Sequence, residues 1–148
     1  MQIREAMTPD VRTVTANTSL REAAHLMASI DAGVLPVSDG DRLVGMVTDR
    51  DIAIRGIGAG KGPDTTVGEV MTNEVRYCYD DETIEAVCEN MANIQVRRLP
   101  VLNRQKRLVG IVSLADIVSS TPSEEAGQAL EGITRPSGLH NQSTDARA

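Results

Sequence analysis

The sequence predicts an α/β (α+β) chain built from two pseudo-symmetric β-α-β-β-α motifs packed through their sheets. Three observations carry that expectation. The chain repeats itself, with Ile3 to Ile52 and Val67 to Ile117 aligned at an offset of about 64 residues, one longer after the mid-repeat Leu-Pro-Val. Each copy contains one apolar stripe at helical spacing followed by two short β-rich runs. With 148 residues, 41% hydrophobic and 24% charged, the chain has enough apolar material for one core of ordinary size, so the two halves are expected to form a single compact domain.

The correspondence is close at particular positions. Met7-Thr8 answers to Met71-Thr72, Val11-Arg12 to Val75-Arg76, Leu35-Pro36-Val37 to Leu99-Pro100-Val101, and Arg42-Leu43-Val44-Gly45 to Arg107-Leu108-Val109-Gly110. The run from Gly45 through Thr48 and Asp51 to Ile52 answers to the run from Gly110 through Ser113 and Asp116 to Ile117. The resulting division is 1–58 for the first motif, 59–66 for a glycine-rich linker, 67–120 for the second motif and 121–148 for a polar, mobile tail.

In chain order, Val11 to Thr15 reads as a short strand. Ser19-x-x-Glu22 then supplies a capping box for a helix whose apolar stripe is Leu20, Ala23, Ala24, Met27 and Ile30. Its twin carries Ile84, Val87, Cys88, Met91 and Ile94, with Cys88 read as a small buried hydrophobe. Val34 to Val37 and Leu43 to Val47 form a hairpin around Ser38-Asp39-Gly40-Asp41, and Pro36, which has no amide to donate, places its strand at an edge or pairs it on one side there. Arg104, Lys106 and Arg107 fall on the equivalent exposed turn. Thr48 and Ser113 are expected as N-caps of a second helix in each motif.

Gly56 to Pro63 reads as a flexible connection, because it lacks the strand, the spacing and the Lys-Ser/Thr ending of a phosphate loop. Ala126 to Leu130 is a short helical possibility, and Pro136 to Ala148 is a polar end.

The composition excludes several functions. A net charge of −6 and a pI near 4.9 give no basic face for nucleic acid, and with no Phe, no Trp and only Tyr77 and Tyr79 there is no aromatic platform for single strands. Any bound base must lie against aliphatic side chains. Two cysteines make no disulfide framework, and His25 and His140 are too distant in sequence to suggest a zinc site. No secretory leader opens the chain and no run approaches the roughly 20 apolar residues that span a bilayer, so a soluble cytoplasmic protein with no membrane partner is expected.

The repeated Gly-x-x-Thr/Ser-x-x-Asp carries the chemistry. A strand delivers Thr48, or Ser113, to a helix start and places Asp51, or Asp116, one turn on, where a carboxylate can take the vicinal hydroxyls of a ribose and a hydroxyl can meet sugar or phosphate. The same spacing is also that of a capping box that satisfies free amides. Both readings stand at this point. Arg97-Arg98 occupies the places held by Gly33-Val34 in the first motif, and is either a fork for phosphate or a solvated or ion-paired couple. No nucleophile–base pair, metal cluster or opposed carboxylate pair is apparent, so an enzyme is not expected and no cofactor is required.

The tandem units with Leu-Pro-Val, Leu-Val-Gly-x-Val and Thr/Ser-x-x-Asp-Ile resemble a cystathionine-β-synthase (CBS) domain pair, the Bateman module, over about residues 1 to 120. Asp49-Arg50-Asp51-Ile52 and Val96-Arg97-Arg98 are similar to the stand-alone bacterial pairs of the hypoxic response protein group. The resemblance implies an antiparallel pairing of the halves, two clefts that often hold adenine nucleotides, and a homodimer. Carried over, one cleft would use Thr48 and Asp51 with Val75, Arg76 and backbone near Arg97. The other would use Ser113 and Asp116 with Val11, Arg12 and backbone near Gly33, phosphates reaching toward Arg98. The function it implies is a non-enzymatic sensor of AMP, ATP or NAD that signals through dimer or partner geometry. The alternative is a constitutive interaction module with unused clefts and a protein partner.

Overall fold

A computed structural model describes residues 1–120, 127 and 130–132. In chain order the elements are β1 (Thr8–Pro9), α1 (Leu20–Ile30), β2 (Val34–Asp39), β3 (Arg42–Thr48), α2 (Asp49–Asp51), β4 (Cys78–Tyr79), α3 (Ile84–Ile94), β5 (Arg98–Leu102), β6 (Leu108–Ser113) and α4 (Leu114–Ser120). A π turn, Ile52–Gly56, prolongs α2. The expected α/β repeat is present in both halves, and the paired elements match one for one around the two hairpins β2-β3 and β5-β6.

The hairpins recruit their outer strands from opposite ends of the chain. β6 pairs with β5 on one side and with β1 on the other, Thr8 lying opposite Ile111. In the pseudo-equivalent place Thr72 bridges to Met46 of β3, with Met46 N donating to Thr72 O at 3.0 Å and Thr72 N donating to Met46 O at 2.8 Å. Each motif's Met-Thr segment therefore completes the sheet of the other.

The turn preceding that segment crosses with it. Ile3–Glu5 is a 3-10 turn whose Ile3 and Arg4 amides donate to Glu82 and Asp80 carbonyls at 2.9 and 3.0 Å. Val67–Glu69 is its counterpart, with Val67 and Gly68 amides donating to Thr18 and Ala16 at 2.7 and 2.9 Å. The apolar content follows the same exchange and forms two clusters where the sequence suggested one. Ile3 is fully buried among Cys78, Ile84, Val87, Met91, Leu99, Val101, Val112 and Ile117. Val67 and Val70 are fully buried among Leu20, Ala23, Leu35, Val37 and Val47. Two sheets with separate buried faces require two cores, and the swapped turns couple them.

Close approach at the crossings explains Gly45 and Gly110. A Cβ on Gly110 would lie 2.6 Å from Met7 Sδ and 2.9 Å from Thr8 O, and one on Gly45 would lie 2.7 Å from Met71 Sδ and 3.0 Å from Thr72 O. Only glycine lets the donated strand lie that near.

α1 begins at the expected N-cap, Ser19 Oγ accepting from Glu22 N at 3.1 Å, without the reciprocal bond to Glu22 that would close the expected capping box, and ends at Asp31 in the left-handed region with φ 54°. Its stripe is narrower than the sequence suggested. Leu20, Ala23 and Met27 are buried, but Ala24 is exposed, and Ile30 on the last turn lies beyond the core. In α3 the stripe of Ile84, Val87, Cys88 and Met91 is buried and Ile94 is packed against it. The strand expected at Val11 to Thr15 reduces to one parallel bridge, Val14 to Val37. The reason is Pro36, which pairs with Met46 on one side and on the other has only its carbonyl to offer, accepting from Val14 N at 3.1 Å.

The glycine-rich linker is laid against α1 through Arg21 N to Pro63 O (3.1 Å) and Leu20 N to Thr65 O (2.9 Å), and Lys61 pairs with Glu69 at 3.2 Å. Arg104 forms a two-pronged ion pair with Asp81 over the Tyr79 ring, and Arg107 reaches Asp41 on the other hairpin turn. Of the tail, Leu130 to Gly132 are helical, Gly132 is buried, and its carbonyl accepts from Gln95 Nε2 at 3.2 Å. Most of the expected helix at 126–130 and all of the polar end at 136–148 lie outside the described residues.

Gly110→Ala is expected to cost about 1 to 3 kcal/mol by forcing the donated strand away from β6. Gly62→Ala, where an added Cβ meets nothing within 4 Å, should stay within about 0.5 kcal/mol of the parent. Urea unfolding of the two variants beside the parent checks the contrast.

Candidate nucleotide-binding clefts

Both strand-to-helix junctions form the reciprocal cap. Thr48 Oγ1 accepts from Asp51 N at 3.0 Å while Asp51 Oδ2 accepts from Thr48 N at 2.9 Å. Ser113 Oγ accepts from Asp116 N at 3.1 Å while Asp116 Oδ2 accepts from Ser113 N at 2.9 Å. A shorter acid than the usual Glu closes the box because residue and cap lie on one turn. Capping consumes only one oxygen of each carboxylate.

The second oxygen separates the two junctions. Asp51 Oδ1 accepts from Arg55 Nη2 at 2.8 Å, and the same guanidinium nitrogen donates to Thr72 Oγ1 at 3.1 Å. Asp116 Oδ1 has no partner among the described residues, and Ser120 stands where a second Arg55 would be. The sequence signal for this pair is the spacing of Asp51 and Arg55, four apart on a helix.

A hollow of about 190 Å³ lies between the halves beside the second junction. Thr8, Val11, Arg12, Val34, Pro36, Arg98 and Ile111 line it, so motif 1 supplies most of the wall and motif 2 the remainder. Ile111 and Ser113 are two apart on β6 and therefore share a face, and Ser113 sits directly across from Arg98 in the ladder. Of the residues expected around this cleft, Val11, Arg12 and Arg98 meet at the hollow, whereas Ser113 and Asp116 are not part of its wall. Gly33 is placed one residue from it, where its missing Cβ leaves room for Asp49 Oδ2 at 2.9 Å and its carbonyl accepts from Asp49 N at 2.9 Å.

The first cleft is arranged differently. The expected residue Val75 lines instead a hollow of about 270 Å³ with Arg42, Leu43, Val44, Asn73, Tyr77, Leu102 and Lys106, the counterpart by pseudo-symmetry of the hollow of about 390 Å³ that Val11 lines with Thr13, Leu108 and Val109, and neither Thr48, Asp51 nor Arg97 is part of its wall. The Arg97 backbone carbonyl holds the start of α4 by accepting from Leu114 N at 2.8 Å. Arg12, Arg76, Arg97 and Arg98 all have exposed side chains. Neither Arg97 nor Arg98 forms an ion pair among the described residues, which leaves their guanidiniums available to an anion.

Among the described residues no three His, Cys, Asp or Glu side chains are grouped to hold a metal ion. Nor, among the described residues, is any helix long and apolar enough to cross a membrane. Cys78 and Cys88 are buried and not disulfide-bonded. Burial, with the Glu82 and Asp80 carboxylates adding to it, pushes the Cys78 thiol up to about 12, so it is held protonated at neutral pH and is no nucleophile.

The duplicated fold and the shared cleft define a tandem CBS-domain pair, and the chain belongs to the CBS-domain family, whose model matches residues 3–56 and 67–122. It is 41% identical over 133 residues to the CBS domain-containing protein YhcV of Bacillus subtilis, covering 89% of this chain and 94% of that protein. It is 40% identical over 138 residues to Hypoxic response protein 1 of Mycobacterium tuberculosis, covering 92% and 96%. The crystal structure of Hypoxic Response Protein I with two coordinated zinc ions superposes with a TM-score of 0.75 at 41% identity, over 82% of this chain and all of that one. CBSX2 in complex with AMP gives 0.70 at 26% identity, covering 80% and 94%. The CBS domain pair of MJ0100, in complex with 5′-methylthioadenosine and S-adenosyl-L-methionine, gives 0.71 at 28% identity, again covering 80% and 94%.

Thiol reagents are expected to label Cys78 slowly in the native protein at pH 8 and rapidly in denaturing urea, because unfolding returns its thiol to the usual range near 8.5. Labelling followed by mass mapping of the modified residue checks it.

Proposed function

We propose that the protein is a non-enzymatic regulatory module that binds an adenine nucleotide in the cleft between its halves and conveys occupancy through dimer or partner geometry. The observation that carries this reading is the hollow walled by both motifs, with Arg12 and Arg98 in its wall, Ser113 paired across from Arg98 on the adjoining strand, and an Asp116 oxygen that no described residue engages. Val11, Val34, Pro36 and Ile111 offer the flat aliphatic contact that a purine needs in a chain almost without aromatic rings. About 190 Å³ suits the base with part of its sugar, so the phosphates lie outside, against Arg12 and Arg98. Asp116 takes the ribose hydroxyls through Oδ1 while Oδ2 continues to cap α4, and Ser113 is fixed in place by the same cap. The adenosine-containing ligands of CBSX2 and MJ0100 support a shared adenosine recognition.

A ligand that touches both halves shifts their arrangement only by binding one arrangement better than another. The wall composition meets that requirement, because motif 1 supplies most of the contact to the base while motif 2 adds Ile111 and holds the sugar. Ile54 on the π turn that prolongs α2, Ile57 on the 3-10 turn that follows it and Val118 on α4 are 51%, 60% and 49% exposed, which supports a homodimer contact there and equally favours the interaction-module alternative.

Calorimetry with AMP, ATP and NAD separates the readings. Asp116→Asn retains a capping acceptor but loses the charge, and is expected to weaken nucleotide binding about tenfold to a hundredfold, the worth of a charge-assisted hydrogen bond. Unchanged affinity in that variant refutes the assigned role, and absence of heat with all three nucleotides favours the interaction module.

A further inference from the structure

The two junctions share one capping geometry, yet the side chains around them differ, and one difference, Arg55 against Ser120, falls on the acidic rim itself. Thr8 and Thr72 are equivalent, each being the end of the segment donated to the opposite sheet. Thr8 lines the open hollow between the motifs, together with Arg98 and Ile111. Thr72 is instead tied by its hydroxyl to Arg55, whose same nitrogen bonds Asp51 Oδ1. The guanidinium thus spans from the acidic rim, which belongs to motif 1, to the crossing segment, which belongs to motif 2.

We infer that Arg55 is an internal occupant of the first cleft, standing where a ribose diol would bind Asp51, so that each copy of the chain takes one adenine nucleotide, at Asp116. This rests on the nucleotide reading above and assigns its stoichiometry. A sugar hydroxyl seeking Asp51 meets an oxygen already neutralised by a cation held by a second tether, Thr72. A neutral diol does not match that charge-assisted bond. At Asp116 the corresponding position is Ser120, too short to span the gap, and the carboxylate keeps its charge and its lone pairs.

The arrangement does not contribute to the cap, since Thr48 and Asp51 close their box through other atoms. Arg55 is also half-exposed, so its removal leaves the core intact. Arg55→Ala is therefore expected to melt within a few degrees of the parent while freeing Asp51 Oδ1.

AMP titrated calorimetrically into the full chain is the test. The parent is expected to bind one AMP per chain and Arg55→Ala two, with the added site surviving in the Arg55→Ala/Asp116→Asn double variant. Two AMP per parent chain, or one per Arg55→Ala chain, overturns the inference while leaving the nucleotide reading standing. No heat from parent and variant alike overturns both together.

Discussion

The exchange of lead segments between the halves is the contact on which the remaining architecture rests. Each hairpin lacks an outer strand until the Met-Thr of the opposite motif is laid along it, at a separation that Gly45 and Gly110 alone permit. With the strand comes a turn, and with the turn a fully buried apolar residue, Ile3 in one core and Val67 in the other. Burying such a side chain contributes about 1.5 to 3 kcal/mol, so each core draws a sizeable part of its cohesion from the far end of the repeat. The halves cannot separate without opening both cores and exposing two sheet edges.

That same clasp creates the cleft. Thr8 reaches β6 only by passing beside Val11 and Arg12, which are then held against Ile111 and the end of β5. Pro36 takes part by refusing a ladder bond on one side, which keeps the segment before Val14 off the sheet and leaves Val11 and Arg12 to line the gap. A hollow between two bodies is usually a packing fault. Here it is bounded by backbone that is hydrogen-bonded on its outer side, and so persists without a filler.

Much of this was legible in the chain. The repeat, both helix stripes in outline, the hairpins and the two caps follow from spacing alone, because helix period, turn chemistry and capping are local. The capping box and the ligand corner looked like rivals, yet one carboxylate oxygen serves the cap and the other stays separate, so a single residue type is compatible with both. What could not be read is non-local. Nothing near Ile3 indicates that its partners are Ile84 and Leu99, and a two-residue strand such as Thr8–Pro9 carries no periodic signal. Ala24 was misplaced because an eleven-residue helix resting on a small sheet buries a strip too narrow for it. The repeat carries no signal for Arg55, because it marks what the halves share, whereas Arg55 is an unmatched side chain with Ser120 in its place.

The pairing of Thr8 with Ile111 also sets a timetable for biogenesis. On a ribosome the amino-terminal turn emerges early and has no place to settle until nearly the whole of the second half has been synthesised. The first core is in a better position, since Val67 and Val70 follow soon after the hairpin they complete. Folding should thus proceed in two stages, an early nucleus around α1 and its hairpin followed by a late closure that waits for β6. A stalled nascent chain would display an unfinished edge, the kind of surface that chaperones hold.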